Sequence, residues 1–447
     1  MPQIDEFLSS LTNHSFHMPG HKRNGALFPS LPLSKDITEI KGADNLHYPV
    51  SIIKASMEDA ARLWKTKHSF YLVNGSSCGI LAGLATLCKR GDKVLVARNC
   101  HRSIFHGIEL LGLKPVYILP EYIKEVGVYG AVLPDTVKSA LEQHKDIRTL
   151  VITSPSFEGL ISDIKEISAL CRNQGVSLLV DEAHGAHLDL SPYFTGGSVL
   201  AGADISVQSL HKTLPALTQT AILHVNSGSV DVERLMHKLR VFESSSPSYL
   251  LMQSAEHSVE MAKNERLFEN WYGCIKALEE KMAEFKRVRL VLRDRRQDPS
   301  KLVFTGVDGV ELGEVMRKHD VEPELVSYSH VVAMTGMGNS RADYAALVEA
   351  IEEADRTLMP VKADFEPPAY CHGNAFCSIE EALDMPSVAL PPRDCVGRVA
   401  AEYVWAYPPG VPLLIPGERI NEAFLSAQLD NLESDSGLLP KLIKVLC

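Results

Sequence analysis

An aspartate and a lysine are the residues of this chain that most clearly predict chemistry. Asp181 ends the apolar run 176–180 within the string D-E-A-H-G-A-H, and Lys212 lies in the turn S-L-H-K-T-L. Burial between apolar segments would lower the pKa of Lys212 and leave a nucleophilic amine that forms an imine with an aldehyde. A buried carboxylate can keep a pyridine nitrogen protonated, although a strand-end aspartate is also a common cap. The pair predicts a pyridoxal 5'-phosphate (PLP) site.

A short polar string upstream of this pair could hold the phosphate of such a cofactor. Asn74-Gly75-Ser76-Ser77 lies between a predicted strand and a predicted helix. Backbone N–H groups and hydroxyls at a helix start can bind a phosphate dianion. The string alone is an ordinary turn, and only its position upstream of Asp181 and Lys212 favours a phosphate site at Gly75, Ser76 and Ser77.

The elements that must position these residues form an alternating β/α pattern. Short β-branched or apolar runs alternate with segments that are apolar at helical spacing. This alternation predicts an α/β fold whose mostly parallel sheet is covered by helices on both faces. The predicted strands are 69–73, 93–97, 114–119, 149–153, 177–181, 204–208 and 221–225, and the predicted helices are 78–88, 101–111 and 163–174.

The sequence beyond residue 225 has a different character. Long amphipathic helices are predicted at 232–241 and within 249–291, followed by a smaller α+β unit with strands at 301–307 and 329–335 and helices at 311–319 and 342–358. A linker is predicted near 360–375, and the proline-rich segment 407–418 excludes a helix or a central strand. We predict three regions: an N-terminal arm (1–50), a large PLP-binding domain (51–295) and a C-terminal α+β region (296–447).

Composition restricts the class of protein and its partners. The 447 residues are 45% hydrophobic and carry a formal net charge of −11, which argues against a nucleic-acid surface. No run approaches the length of a membrane span, and we expect no secretory signal, because the first ten residues carry acids and no long apolar core. The nine cysteines show no metal spacing and are interpreted as thiols in a reducing compartment. We expect a cytoplasmic enzyme without metal, membrane or nucleic-acid partners.

Five strings occur in one order along nearly the whole chain: H-M-P-G-H-K-R at 17–23, N-G-S-S-C-G at 74–79, R-N-C-H-R-S at 98–103, S-L-H-K-T-L at 209–214 and Y-P-P-G-V-P-L-L-I-P-G-E at 407–418. On these strings the chain resembles the Orn/Lys/Arg decarboxylase family, in a short form without the N-terminal receiver-like domain. The resemblance implies the PLP-dependent transferase fold type I (aspartate aminotransferase-like), with a smaller C-terminal α+β domain.

The resemblance also implies roles for further residues. His101 would stack on the pyridine ring opposite Lys212, and His184 would contact the ring or its phenolic oxygen. Ser209 and His211 would donate hydrogen bonds to the phosphate. Ser245, in the string S-S-S-P-S-Y, would reach across a homodimer interface toward the neighbour's cofactor, which places the active sites at that interface. The string at 17–22 would fold toward the entrance of the site.

The expected reaction is decarboxylation of a basic amino acid, namely arginine, lysine or ornithine, to a di- or polyamine through an imine on Lys212. Glu322, Glu324 and Glu418 are candidate partners for the distal cation of the substrate, although a glutamate in such a position is more often a surface charge. Phe157 stands where relatives often carry tyrosine. The alternatives are an aminotransferase or acyl-transferring synthase of the same fold, and a non-catalytic regulatory homologue.

Overall fold

A computed structural model of the chain describes residues 2–11, 18–19, 22–24, 26, 30–362, 364–365, 375–406, 410–429 and 440–447, without the side chains of 427–429. Two 3-10 turns cover Leu33–Lys35 and Pro392–Asp394. The α-helices are α1 (Gln3–Ser10), α2 (Ile52–Trp64), α3 (Gly75–Leu87), α4 (Arg102–Leu111), α5 (Pro134–Gln143), α6 (Ile164–Gln174), α7 (Ser198–Ala201), α8 (Leu210–Thr213), α9 (Val232–Phe242), α10 (Tyr249–Met261), α11 (Glu265–Met282), α12 (Gly309–Lys318), α13 (Arg341–Thr357), α14 (Ile379–Asp384) and α15 (Glu422–Leu429).

The strands are short, as is usual for a covered sheet. They are β1 (His68–Leu72), β2 (Lys93–Ala97), β3 (Lys114–Ile118), β4 (Tyr122–Ile123), β5 (Val128–Tyr129), β6 (Thr149–Thr153), β7 (Ser177–Asp181), β8 (Ile205–Gln208), β9 (Ala221–Val225), β10 (Arg289–Leu290), β11 (Lys301–Thr305), β12 (Leu325–Val326), β13 (Val331–Met334), β14 (Ser387–Leu390), β15 (Val404–Ala406), β16 (Val411–Leu414) and β17 (Ile443–Leu446).

The chain divides into two compact units built from interleaved segments. Unit 1 comprises Met1–Leu87, Asp163–Gly273 and Thr335–Asn339, and unit 2 comprises Cys88–Ser162, Cys274–Met334 and Ser340–Cys447. This division follows packing rather than chain order. The three predicted regions are a different division, and their boundaries stay a prediction.

Unit 1 contains four strands in the order β1-β9-β8-β7. β7 and β8 are parallel, whereas β9 pairs antiparallel with both β8 and β1. Helix α3 packs closely on these strands because two of its residues lack a side chain. A Cβ at Gly79 would lie 2.6 Å from Leu72 Cδ1, and one at Gly83 would lie 3.2 Å from Leu179 Cδ1. This close approach holds α3 against the strands of unit 1.

Unit 2 contains a three-stranded parallel set, β6-β2-β3, and a separate antiparallel sheet, β10-β11-β13-β12. Two antiparallel ribbons, β15-β16 and β14-β17, form a C-terminal cluster around Leu414, Ile420 and Phe424. In the two sets β1-β9-β8-β7 and β6-β2-β3, three of the five strand pairs are parallel. The sheet is therefore mostly parallel, as the β/α alternation predicts.

Most of the predicted elements are confirmed, and four of the strands have the predicted bounds: β2, β6, β7 and β9. Two predictions were wrong in part. Helix α3 begins at Gly75, so the predicted turn residues Gly75, Ser76 and Ser77 form its first turn. The predicted helical stretch 249–291 ends at Met282, and 289–290 form strand β10, which pairs with β11.

The proline-rich segment contains strand β16, with Pro412 in a two-stranded ribbon rather than a central strand. Residues 407–409 of that segment, and 363 and 366–374 of the predicted linker, lie outside the described residues. The described cysteines are all free thiols, consistent with the interpretation of the sequence. Within the described part of the chain, no helix combines the length and apolar character that a membrane crossing requires.

Candidate active site

Asp181 ends β7 as a buried carboxylate. Its side chain is 3% exposed, and Oδ1 accepts a hydrogen bond from Ala183 N at 3.1 Å. Burial raises the pKa of Asp181, while the positive charge of Lys212 and the bond from Ala183 oppose this effect. The position suits a carboxylate that meets a cationic partner inside the protein.

Lys212 lies in the one-turn helix α8, which follows β8. Its Nζ is 3.0 Å from Nε2 of His184, a buried residue three positions after Asp181. The parallel pairing of β7 with β8 places Asp181 opposite Val207, so both strands end at the same edge of the sheet. The structure thus brings together three of the predicted catalytic residues, Lys212, Asp181 and His184.

Two hydroxyl groups on either side of Lys212 are buried without a hydrogen-bond partner among the described residues. They are Ser209 Oγ, at the N-cap of α8, and Thr213 Oγ1 at its last residue. Buried polar atoms are rarely left unpaired, so each is available to a ligand oxygen. Ser209 was predicted as a cofactor-binding residue, whereas Thr213 was missed. The sequence does not predict the one-turn helix that buries the Thr213 hydroxyl beside Lys212, so this group was not recognised.

The predicted phosphate-binding string begins α3, a helix of 13 residues. Gly75 has a φ of +76°, and among the described residues no atom beyond its chain neighbours and its own helix backbone lies within 4 Å of the position that its Cβ would occupy. Ser76 is half-buried, whereas Ser77 is exposed. Open space in front of the first turn of a helix is suited to an anion, because unpaired N–H groups and the positive end of the helix dipole face it.

The α3 and α8 starts lie at the same edge of the unit 1 sheet. β9 separates them, with Leu72 opposite Ala221 on one side and Gln208 opposite Ile222 on the other. Two strand spacings correspond to about 10 Å. A ligand at this edge can therefore contact both helix starts.

The residues just before β9 connect these two helix starts. Gly75 N donates to Gln219 O at 2.9 Å, and Nδ1 of His211 is 2.8 Å from Thr220 O. Burial lowers the pKa of His211, although the contact with Thr220 opposes this. One ring nitrogen of His211, which was predicted to bind phosphate, is thus hydrogen-bonded to Thr220. This bond connects α8 to the residues just before β9.

The loop that contains Ser245 is tied to the start of α3. Ser245 itself is exposed, and its neighbour Ser244 donates its N–H to Asn74 Oδ1 at 3.3 Å. The Nε2 of His47 lies 2.7 Å from Ser244 O on the other side. The role of Ser245 at a neighbour's cofactor stays a prediction.

Glu243 is a buried carboxylate near the same turn that sequence reasoning missed. Its Oε1 accepts from Val73 N at 2.9 Å, and Cys78 Sγ lies 3.9 Å away. Burial raises the pKa of Glu243 to about 7. The preceding helix α9 is amphipathic and charged, so only its packing distinguishes this glutamate from a surface residue.

His101 belongs to unit 2, where it is the N-cap of α4. Its Nδ1 accepts from Ser103 N at 3.3 Å and lies 2.9 Å from Ser103 Oγ. The ring is half-buried and faces Gly410, whose Cβ would lie 3.5 Å from its Cδ2. His101 therefore caps α4, and the predicted stacking on a cofactor stays a prediction.

The three candidate carboxylates for a substrate cation are in different environments within unit 2. Glu418 is buried and pairs with Arg98, with Nη2 and Oε2 3.4 Å apart. Glu322 is exposed and pairs with Arg317 at 2.9 Å, and Glu324 is exposed. Glu418 is the least suitable of the three, because its carboxylate already pairs with Arg98.

Two remaining sequence features are located as follows. Phe157 is half-buried in unit 2, with the Nζ of buried Lys301 5.5 Å from its ring centroid. The phenyl ring therefore serves a cation–π contact that a tyrosine could also make. Of the string at 17–22, positions 17, 20 and 21 lie outside the described residues, and Lys22 is exposed.

Family models match most of the chain. The model described as "Orn/Lys/Arg decarboxylase, major domain" matches residues 7–301, and that of the C-terminal domain matches residues 380–436. Both domains of one family therefore occur in the expected order.

Curated relatives and solved structures agree with this match. An arginine decarboxylase of Halalkalibacterium halodurans is 30% identical, over 93% of this chain and 90% of the relative. An arginine decarboxylase of Bacillus subtilis is also 30% identical, over 95% and 91%. The crystal structure of the Francisella novicida lysine decarboxylase LdcF superposes with a TM-score of 0.85 at 17% identity, covering 100% of this chain and 81% of that one. The fold is thus the predicted one.

Proposed function

The chain belongs to the Orn/Lys/Arg decarboxylase family, and from this premise we propose that it releases carbon dioxide from a basic amino acid with PLP as cofactor. The observation that carries the proposal is the grouping of Asp181, His184 and Lys212 at one edge of the unit 1 sheet, with Lys212 Nζ 3.0 Å from His184 Nε2. Arginine is the substrate we propose first, because two relatives at 30% identity are named arginine decarboxylases.

The residues at this edge suit the three functional parts of PLP. Asp181 would bind the protonated pyridine nitrogen, and Lys212 would bond to the aldehyde carbon. The phosphate would lie at the N-terminus of α3, held by Gly75, Ser76 and Ser77. The orphaned hydroxyl of Ser209 supports this assignment, because it is a buried donor without a protein partner among the described residues. His101 would stack on the ring.

When bound, PLP supplies a ring that accepts the electron pair left by the departing carboxylate. The buried Asp181 carboxylate would stabilise positive charge at the ring nitrogen, and low solvent exposure strengthens that interaction. Lys212 Nζ and His184 Nε2 are within hydrogen-bond distance, so a proton can pass between them and on to the substrate carbon. The product would be the amine of the substrate, a di- or polyamine.

The assembly and location that we propose follow from the same family membership. A homodimer with active sites at its interface would bring Ser245, which is exposed, toward the neighbour's cofactor. The free thiols of the described cysteines are consistent with a reducing cytoplasm.

The direct test is carbon dioxide release by the purified, PLP-loaded protein with arginine, lysine and ornithine in turn. We expect release from at least one of them, a yellow cofactor band, and loss of both in Lys212→Ala. Lys165→Ala, on the exposed face of α6, is the control and should behave as wild type. Keto-acid formation without carbon dioxide from any of the three would show an aminotransferase instead.

A further inference from the structure

A row of buried polar side chains crosses the four strands of unit 1. Glu182 follows β7 directly, and Gln208 is the last residue of β8. His224 lies in β9, and Ser69 lies in β1. Glu182 and Gln208 are each 1% exposed and His224 is 0% exposed, so water does not compete for their hydrogen bonds.

Each hydrogen bond along this row is donated toward Glu182, from Ser69 to His224, from His224 to Gln208 and from Gln208 to Glu182. Gln208 Nε2 donates to Glu182 Oε2 at 2.8 Å, while Gln208 Oε1 lies 3.1 Å from His224 Nε2. Because a carbonyl oxygen only accepts, Nε2 of His224 carries the proton, and Nδ1 accepts from Ser69 Oγ at 2.8 Å. Burial lowers the pKa of His224 to about 3, so the ring is neutral.

Glu182 is also held from its other side. Its carboxylate accepts from Ser198 N and, at 2.8 Å, from Ser198 Oγ. Burial raises the pKa of Glu182 to about 8, despite these donors and that of Gln208. Both carboxyl oxygens of Glu182 are thus held by protein donors, and solvent does not reach them.

The centre of the row coincides with the strand ends that carry the site. Glu182 N donates to Val207 O at 2.9 Å, and Ser209 N donates to Ala183 O at 3.3 Å. Glu182 makes the first of these bonds itself, and Gln208 stands between Val207 and Ser209, which make one each. Asp181 precedes the first of these backbone bonds, and Lys212 follows the second by three residues, so the two backbone bonds and the Glu182–Gln208 side-chain bond form a clamp that stands between Asp181 and Lys212 in both strand ends.

We infer that Glu182 and Gln208 are positioning residues, which through this clamp keep Asp181 and Lys212 at the separation that the cofactor ring requires. The inference rests on the proposed function. Neither residue is assigned contact with the substrate. Their effect passes through the ends of β7 and β8, where a displacement of about 1 Å can cost about 100-fold in rate.

The test replaces Gln208 by methionine, which has a similar length but makes neither amide bond. In Gln208→Met we expect kcat to fall about 100-fold with KM changed less than about threefold. We also expect the pH midpoint of the visible absorbance band of the PLP-loaded protein to shift by about 1 unit. The double variant Glu182→Gln with Gln208→Glu reverses the donor and the acceptor of the central bond and should recover most of both properties.

Ser69→Ala is the matched control, since it removes a buried hydrogen bond at the far end of the same row. It should lower the melting temperature by an amount similar to Gln208→Met and leave kcat and the absorbance midpoint unchanged. If Gln208→Met also kept both at wild-type values, or if the double variant recovered neither, the positioning role would be overturned.

The two proposals can fail separately. A wild-type protein that binds PLP but releases no carbon dioxide would overturn the proposed reaction, while the absorbance midpoint of Gln208→Met would still decide the positioning role. A wild-type protein that forms no visible band with PLP would overturn both.

Discussion

Arg98 and Glu418 form a buried ion pair, although 320 residues separate them in the sequence. The side chain of Arg98 is 1% exposed, lies over the rings of Phe105 and Tyr117, and also donates to the carbonyl oxygens of Pro412 and Leu413. Ile415 N donates to the same carboxylate oxygen at 2.9 Å. Two of the five strings that carry the family resemblance therefore hold each other together within unit 2.

Breaking this pair on one side should destabilise the protein strongly, because it leaves a buried charge unpaired. We expect Arg98→Met to lower the free energy of unfolding by about 3–5 kcal/mol. The double variant Arg98→Met with Glu418→Leu should recover a large part of that loss. Urea unfolding of the three proteins measures this, and equal losses in the single and double variants would contradict it.

Asp181→Asn should reduce turnover without removing the cofactor. An asparagine keeps the shape and the acceptor for Ala183 N but not the negative charge, so we expect kcat to fall by about 10²–10³-fold. The yellow band should persist because Lys212 is intact. Asp204→Asn is the control, since Asp204 accepts from Leu178 N at the opposite end of β7. A similar loss of kcat in both variants would refute a specific role for Asp181.

Gly75→Ala should weaken PLP binding. A φ of +76° costs a non-glycine residue about 1–2 kcal/mol, and the strain lies at the start of α3 where the phosphate is expected. We expect the dissociation constant for PLP to rise about tenfold. Gly91, with a φ of +86° and similarly open surroundings, provides the control. Gly91→Ala should lose comparable stability and bind PLP as wild type does; equal weakening in both variants would contradict the assignment.

Glu243 should make stability depend on pH. Burial raises the pKa of Glu243 from its ordinary 4.5 to about 7 in the folded state. As pH rises, the unfolded chain therefore loses this proton before the folded protein does. The contribution to stability is fully present below pH 4.5 and is lost as pH rises through about 7.

We accordingly expect wild type to lose on the order of 1–3 kcal/mol more than Glu243→Gln between pH 5 and pH 8, measured by urea unfolding. Glu142→Gln, which removes an exposed carboxylate from α5, should follow the wild-type pH dependence. Parallel curves for wild type and Glu243→Gln would show that this carboxylate does not titrate as proposed.

Most of the strands and helices that position the candidate site could be predicted from local sequence. Four predicted strands have the observed bounds, including β7, which ends at Asp181. Side-chain alternation and turn residues act within a few positions, so they can be recognised without tertiary contacts. The start of α3 was missed because Gly and Ser favour a turn by local preference, whereas packing on the sheet extends the helix to Gly75.

The sequence by itself determined the fold class and the family, and it predicted Asp181 and Lys212 as a pair, because strand-end positions and distinctive strings are local properties. Only the tertiary structure showed that Glu182 bonds to Gln208, that Glu243 is buried beneath the start of α3, and that Arg98 occupies Glu418. Each of these carboxylates looks like an ordinary solvated charge in the sequence. Each carboxylate meets a partner from a remote segment of the chain. The desolvation that strengthens such a contact occurs only once the strands and helices have packed.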